Sequence, residues 1–127
     1  MSFASAINAI LQASPEITAA TGGHIYGTHY PDGLPTDKTV IVFTSKRDDA
    51  VHTLQKKNTL EEYSLILWIL SVDNELNDSI VPLVRDLLDD YEDAEILDLV
   101  LTDEDGGVDQ EKQRYFKTLT YRATYLN

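Results

Sequence analysis

The chain contains no cysteine. That excludes disulfides, thiolate catalysis and Cys-ligated zinc. Basic residues are scarce: 10 Lys plus Arg stand against 22 Asp plus Glu, a formal net charge of −12. A surface that grips phosphates is built from Lys and Arg, so this balance argues against nucleic-acid recognition. It remains compatible with a protein that surrounds DNA without holding it. No run reaches the ~20 apolar residues of a membrane span. The opening MSFASAINAILQASPE is too polar for a signal peptide and lacks the basic start. The expectation is a soluble protein made in the cytoplasm. The glycine patterns that cradle phosphates, G-x-x-x-x-G-K-[ST] and G-x-G-x-x-G, are missing, as is the G-x-S-x-G nucleophile elbow.

With 127 residues the chain has the length of one domain. No linker or internal repeat divides it, so residues 1–127 are expected to form one unit. Phe3, Ile7, Ile10 and Leu11 recur at helical spacing, which predicts a short N-terminal helix capped by Ser2 and stopped at Ser14-Pro15. The stretch 24–35, with two prolines and two glycines, reads as an ordered loop. TVIVFTS (39–45) is β-branched and reads as a strand, followed by a polar turn KRDD (46–49) and a short returning strand AVHTLQ (50–55). A long strand follows from Leu60 to Val72. A helix over 74–91 carries Leu76, Ile80, Leu83, Val84, Leu87 and Tyr91 on one stripe. Pro82 inside it should kink it or move its start toward Ser79. AEILDLVLTD (94–103) and RYFKTLTYRATYL (114–126) read as strands, separated by the flexible acidic loop EDGGVDQEK (104–112). The predicted class is α+β: an antiparallel sheet of about four main strands plus a short hairpin strand, with a long helix and a short N-terminal helix packed on it.

Chemistry-bearing clusters are few. His24 and His29 are five residues apart in a loop and make a poor metal pair, and His52 lies on a predicted strand. The acidic run Asp86, Asp89, Asp90, Glu92, Asp93, Glu95 could offer oxygens to calcium, yet a helix end this acidic is ordinarily a solvated face. In DEDGGVDQE, Asp103 and Asp105 fit the first two calcium-loop positions, but Gly107 and Arg114 stand where ligands are required. Glu61 and Glu62 are adjacent and point to opposite faces of a strand. The expectation is a protein that is not an enzyme and uses no cofactor or metal.

One stretch raises a question of its own. In YSLILWILS, Tyr63, Leu65, Leu67 and Ile69 share one face, while Ile66, Trp68, Leu70 and Val72 share the other. The long helix has a single apolar stripe and covers one face. The second face is either buried within the chain, under the N-terminal helix and the loop at 24–35, or packed on another copy. Trp68, Ile66, Leu70, Tyr121 and Tyr125 are therefore the candidates for core or subunit interface.

In layout and short phrases the chain resembles the tail completion, or tail terminator, proteins of long-tailed bacteriophages and prophages. The resemblance spans nearly the whole chain. It is carried by the opening FASAINAILQASPEITAATGGHIYG with Gly22, Gly23, Ile25 and Tyr26, the proline loop from Pro31 to Pro35, and TVIVFTS and AVHTL. LEEYSLILWILS, a helix containing LVRDLLD and the terminal RYFKTLTYRATY complete it. Pro82 is a departure from the pattern. The resemblance implies an α+β protein that forms a ring, commonly a hexamer. The ring caps the finished tail tube, ends its polymerisation and presents the docking surface for the head. Its implied partners are further copies of itself, the tail tube protein and a head–tail connector or neck protein, and its place is the virion, at the head–tail junction. DNA would pass through without specific binding, past an acidic wall that repels phosphates. The candidate lumen or docking element is the acidic loop, with Asp103, Glu104, Asp105, Asp109 and Glu111. The alternatives are another neck component, a small-ligand or cation-binding α+β domain using the run 86–95, or an enzyme built on a carboxylate pair.

Overall fold

The computed structural model describes residues 2–27, 39–52, 59–110 and 114–126, without the side chains of 49–52 and 59. The chain opens with α1 (Phe3–Gln12), whose Ser2 cap accepts the Ser5 N–H at 3.1 Å and which buries Phe3, Ala6, Ile7 and Leu11. Ser14-Pro15 ends this helix and also starts another. Ser14 accepts the Ile17 N–H at 3.4 Å, and Pro15 occupies the first turn of α2 (Pro15–Thr21). Proline fits that position because the N–H it lacks has no partner within the helix there. Gly22, at φ +62°, closes α2 in the left-handed conformation that glycine adopts without strain.

Five strands follow: β1 (Ile25–Gly27), β2 (Val40–His52), β3 (Thr59–Ser71), β4 (Ile96–Asp109) and β5 (Arg114–Leu126), with α3 (Asn74–Leu88) between β3 and β4. The sheet order is β1-β2-β3-β5-β4. The β2–β3, β3–β5 and β5–β4 ladders are antiparallel, but β1 pairs with β2 in parallel. The sheet is thus mixed and five-stranded, not the expected antiparallel sheet of about four. The expected turn at 46–49 and the separate strand after it are also corrected. β2 runs through them to His52, and a register shift between Arg47 and Asp49 absorbs the polar run as a bulge. Residues 53–55 lie outside the description.

α3 starts where the sequence places it: the Asp73 side chain accepts the Glu75 N–H at 2.9 Å. Pro82 lies inside the helix on its exposed side. The helix ends at Leu88 rather than 91, where Asp90 takes a positive φ of 59°.

The register sorts the sheet into two faces. Inward-facing rows read Ile41–Ile69–Lys117, Phe43–Leu67–Leu119, Ser45–Leu65–Tyr121 and Arg47–Tyr63–Ala123. The apolar members of these rows join Phe3, Ile7, Leu11, Ile17, Ile80, Val84 and Leu88 in one core, with Ser45, Arg47 and Lys117 at its margin. All three helices therefore pack on the same face. At one end, Phe3 stacks on Tyr63 with ring centroids 4.5 Å apart, and Tyr125 meets both rings edge-on. Glu61, the inward member of the Glu61-Glu62 pair, is buried there. It accepts from the Tyr63 hydroxyl at 3.3 Å and pairs with Arg47 at 3.2 Å.

Asn77 is a cost in this core. Its side chain is fully buried on α3, and neither amide atom has a hydrogen-bond partner among the described residues. Leaving such a group unpaired costs about 1–3 kcal/mol. Asn77→Leu, nearly equal in shape, is expected to stabilise the fold by about 1 kcal/mol or more, read as a raised urea midpoint at unchanged m-value. A lowered midpoint would mean that the amide is engaged.

Candidate assembly surface

The second face of the sheet carries the other half of YSLILWILS. Its rows read Val40–Leu70–Phe116–Gly107, Val42–Trp68–Thr118–Asp105, Thr44–Ile66–Thr120–Asp103 and Lys46–Ser64–Arg122–Val100. Strand pleating sends these side chains away from the helices. Val40 and Val42 are buried but lie outside the helix-packed core. Ile66, Trp68, Leu70 and Phe116 are half-buried. No described helix covers them. The five candidates for core or interface thus separate: Tyr121 and Tyr125 belong to the inner core, and Ile66, Trp68 and Leu70 to the outer face.

Charge is unevenly spread over this face. The three rows from Val40 to Thr44 carry no charge on β2, β3 or β5, whereas a fifth row, beyond the one with Lys46, places exposed Glu62 beside Thr124 and Asp98. The fourth holds Lys46 and Arg122, both exposed, with Asp48 at the bulge bonded to the Ser64 hydroxyl. Arg47, Arg85 and Lys117 are each paired to a carboxylate, whereas Lys46 and Arg122 hold no ion pair among the described residues. Among the described basic residues that isolation is specific to this row.

The acidic segment after residue 103 is not the flexible loop expected from its composition. Asp103, Glu104, Asp105 and Asp109 are part of β4 and in register with β5. Glycine explains the difference. A Cβ on Gly106 would come within 2.8 Å of the Lys117 side chain, and one on Gly107 within 2.8 Å of the Phe116 ring. The Gly-Gly pair makes room for two large cross-strand neighbours instead of forming a turn. β4 is an edge of the sheet. Asp103 and Asp105 flank the outer face. Glu104 points inward and lies 3.8 Å from Arg85 of α3. Glu111 lies outside the described residues.

That Arg85 belongs to a network tying α3 to the sheet. Buried Tyr121 donates to Asp89 Oδ1 at 2.6 Å, and Arg85 Nε donates to Asp89 Oδ2 at 3.1 Å. Burial, reinforced by the Asp89 carboxylate, pushes the Tyr121 phenol far above its usual range. Asp93 has a different task. Burial alone would raise its pKa, but the N–H groups of Ile96 and Glu95 and the Tyr91 hydroxyl outweigh it and bring the carboxyl below its usual value. The acidic run 86–95, which the sequence offered only as an alternative cation site, is thus divided between a helix anchor, a turn and solvent. Among the described residues no three His, Cys, Asp or Glu side chains converge as a metal site. His24 Nδ1 lies 3.0 Å from the Tyr26 hydroxyl, while His29 and the His52 side chain fall outside the description.

No family model matches the sequence, and no curated protein matches it. A solved structure does. A chain from the virion of a native gene transfer agent (GTA) particle aligns with a TM-score of 0.73, over 98% of this chain and 95% of that one, at 14% identity. The two chains share a fold. Because the match runs almost end to end in both, the shared unit includes the edge strand β4 and the outer face as well as the helix-covered core.

One further surface is concave. On the helical side, α1 and the turn after α3 enclose a groove of about 550 Å3 lined by Ala6, Ala9, Ile10, Ala13, Leu87, Tyr91 and Ala94, with Asp93 and Glu95 at its rim. Its apolar floor was not anticipated, because α1 and the turn after α3 are far apart in sequence and meet only in the fold. Among the described residues no helix is long and apolar enough to cross a membrane.

Proposed function

We propose that this chain is a structural virion protein of a phage-like particle, and specifically a tail terminator. Copies associate into a ring, the ring caps the tail tube at full length, and its exposed side receives the head connector. The observation that carries this reading is the outer sheet face. Half-buried Ile66, Trp68 and Leu70 stand in rows that carry no charge on β2, β3 or β5, with no described helix over them, in a fold shared with a chain of a GTA virion particle. Contact between two chains of charge −12 is least opposed where at least one of them presents an apolar, weakly charged surface. The mechanism is steric, with no bond made or broken, and calls for neither catalysis nor a cofactor. DNA passes an acidic wall without sticking.

β4 is the candidate docking element of this reading, as an ordered edge and not a loop. Edge strands offer unpaired backbone groups to a partner, and carboxylates such as Asp103 and Asp105 restrict which partner can use them. The test is to add the protein to polymerising tail tubes and measure tube lengths by electron microscopy. Wild type is expected to yield capped tubes of limited length that join heads. Asp105→Asn with Glu104→Gln should cap equally well, because the Arg85–Glu104 pair is exposed and worth at most about 1 kcal/mol, but should fail to join heads. Tubes that grow without limit in the presence of wild type would refute the terminator role. The same assay separates the second reading, another neck component, which would join heads without limiting tube length.

A further inference from the structure

We infer that the outer sheet face of one copy seats on the alanine groove of the next, in a head-to-tail contact. The inference rests on the ring reading and names its contact. Three observations converge on a second copy as the occupant. The first is charge. Lys46 and Arg122 stand in one cross-strand row, exposed and without an ion pair among the described residues. The groove is lined in part by Asp93 and Glu95, both exposed, so this chain itself supplies carboxylates for two cations that hold no ion pair. The second is shape. Beside that row stand Ile66 and Trp68, while the groove floor is built from alanines on α1 and in the turn before β4, leaving about 550 Å3 of open volume, room for large apolar side chains. The third is placement. The groove lies on the helical side and the row on the opposite side of the sheet, so one molecule cannot join them to itself. Two different, complementary patches on opposite sides generate a head-to-tail series that closes when the rotation allows. A two-fold dimer through the outer face would instead set each cation row against another outer face and leave the groove empty.

Exposed residues make the test safe for folding. Lys46→Glu with Arg122→Glu disables only the face, and Ala9→Glu disables only the groove. Unchanged circular dichroism and melting temperature establish that both variants fold. Native mass spectrometry then reads assembly. Wild type is expected to form closed oligomers that dissociate as salt rises. Each variant alone should be monomeric. An equimolar mixture of the two should give a one-to-one dimer and nothing larger, because each partner keeps one intact patch. An Ala9→Glu variant that assembles like wild type overturns the inference, as does a mixture that stays monomeric or wild type monomeric at about 1 mM. Rings that persist in Ala9→Glu would leave the terminator reading standing and refute only this contact; loss of tube capping by wild type, with the mixed dimer still formed, would do the reverse.

Discussion

Tyr121→Ala is expected to destabilise the fold by about 3–5 kcal/mol, the cost of removing a fully buried aromatic side chain. For a domain of ordinary stability that is a large share of the total. The conservative change separates ring from hydroxyl. Tyr121→Phe keeps the packing but removes the 2.6 Å bond to Asp89, and bonds to a charged acceptor contribute about 1.5–3 kcal/mol. Asp89→Asn, alone and in the Phe background, closes a double-mutant cycle on the pair. The pH dependence follows from the raised phenol pKa. A tyrosine whose pKa is higher folded than unfolded contributes stability that is fully present below its unfolded value of about 10 and is lost as pH rises through and beyond it. The stability gap between wild type and Tyr121→Phe should therefore be constant from neutral pH to about pH 9 and shrink by about pH 11. Urea midpoints at those pH values decide it. A gap that stays constant would mean that Tyr121 does not titrate out of a buried state.

Two kinds of signal carried the architecture. The alternation in YSLILWILS and RYFKTLTYRATYL fixes which residues face together, because strand period is a property of the backbone. The apolar stripe of α3, with its Asp73 cap, is equally local. What remained hidden depends on partners distant in sequence. β1 is only Ile25–Gly27 and becomes a strand because β2 lies alongside it. KRDD looks like a turn by composition, yet β3 continues opposite it and draws it into a bulged strand. EDGG likewise looks like a flexible tip until Lys117 and Phe116 are placed across from the glycines. Pro15 is ambiguous even locally, since the residue that ends one helix is well suited to begin the next.

The candidate surface was half legible for the same reason. Sequence alternation identified Ile66, Trp68 and Leu70 as a second apolar face and left open what covers it. It could not place Tyr121 and Tyr125, which read as equally good interface residues until the register set them against α1, α3 and the inner rows. Nor could it find the cation row. Lys46 and Arg122 are 76 positions apart in sequence and meet only because Ser64 lies between them on β3.

Neighbouring residues on β3 offer the sharpest separation of folding from assembly. Leu67 is fully buried against the helices, and Trp68, one position on, points to the outer face and is half-buried. Leu67→Ala is expected to cost about 2–5 kcal/mol of monomer stability. Trp68→Ala removes a larger side chain, yet part of its surface already meets solvent, so the monomer should lose only about 1–2 kcal/mol. Assembly should respond in the opposite sense. A central aromatic anchor contributes about 2 kcal/mol or more to a contact, so Trp68→Ala should raise the dissociation constant about 30-fold or more. Urea unfolding of the monomer and sedimentation across a concentration series measure the two quantities independently. A Trp68→Ala chain that unfolds as readily as Leu67→Ala while still assembling would place the indole in the subunit's own core and remove the outer face from the interface. A chain that folds well and stays dispersed would identify the second face of this strand as the surface through which copies meet, because the same substitution cannot weaken a contact in which the indole takes no part.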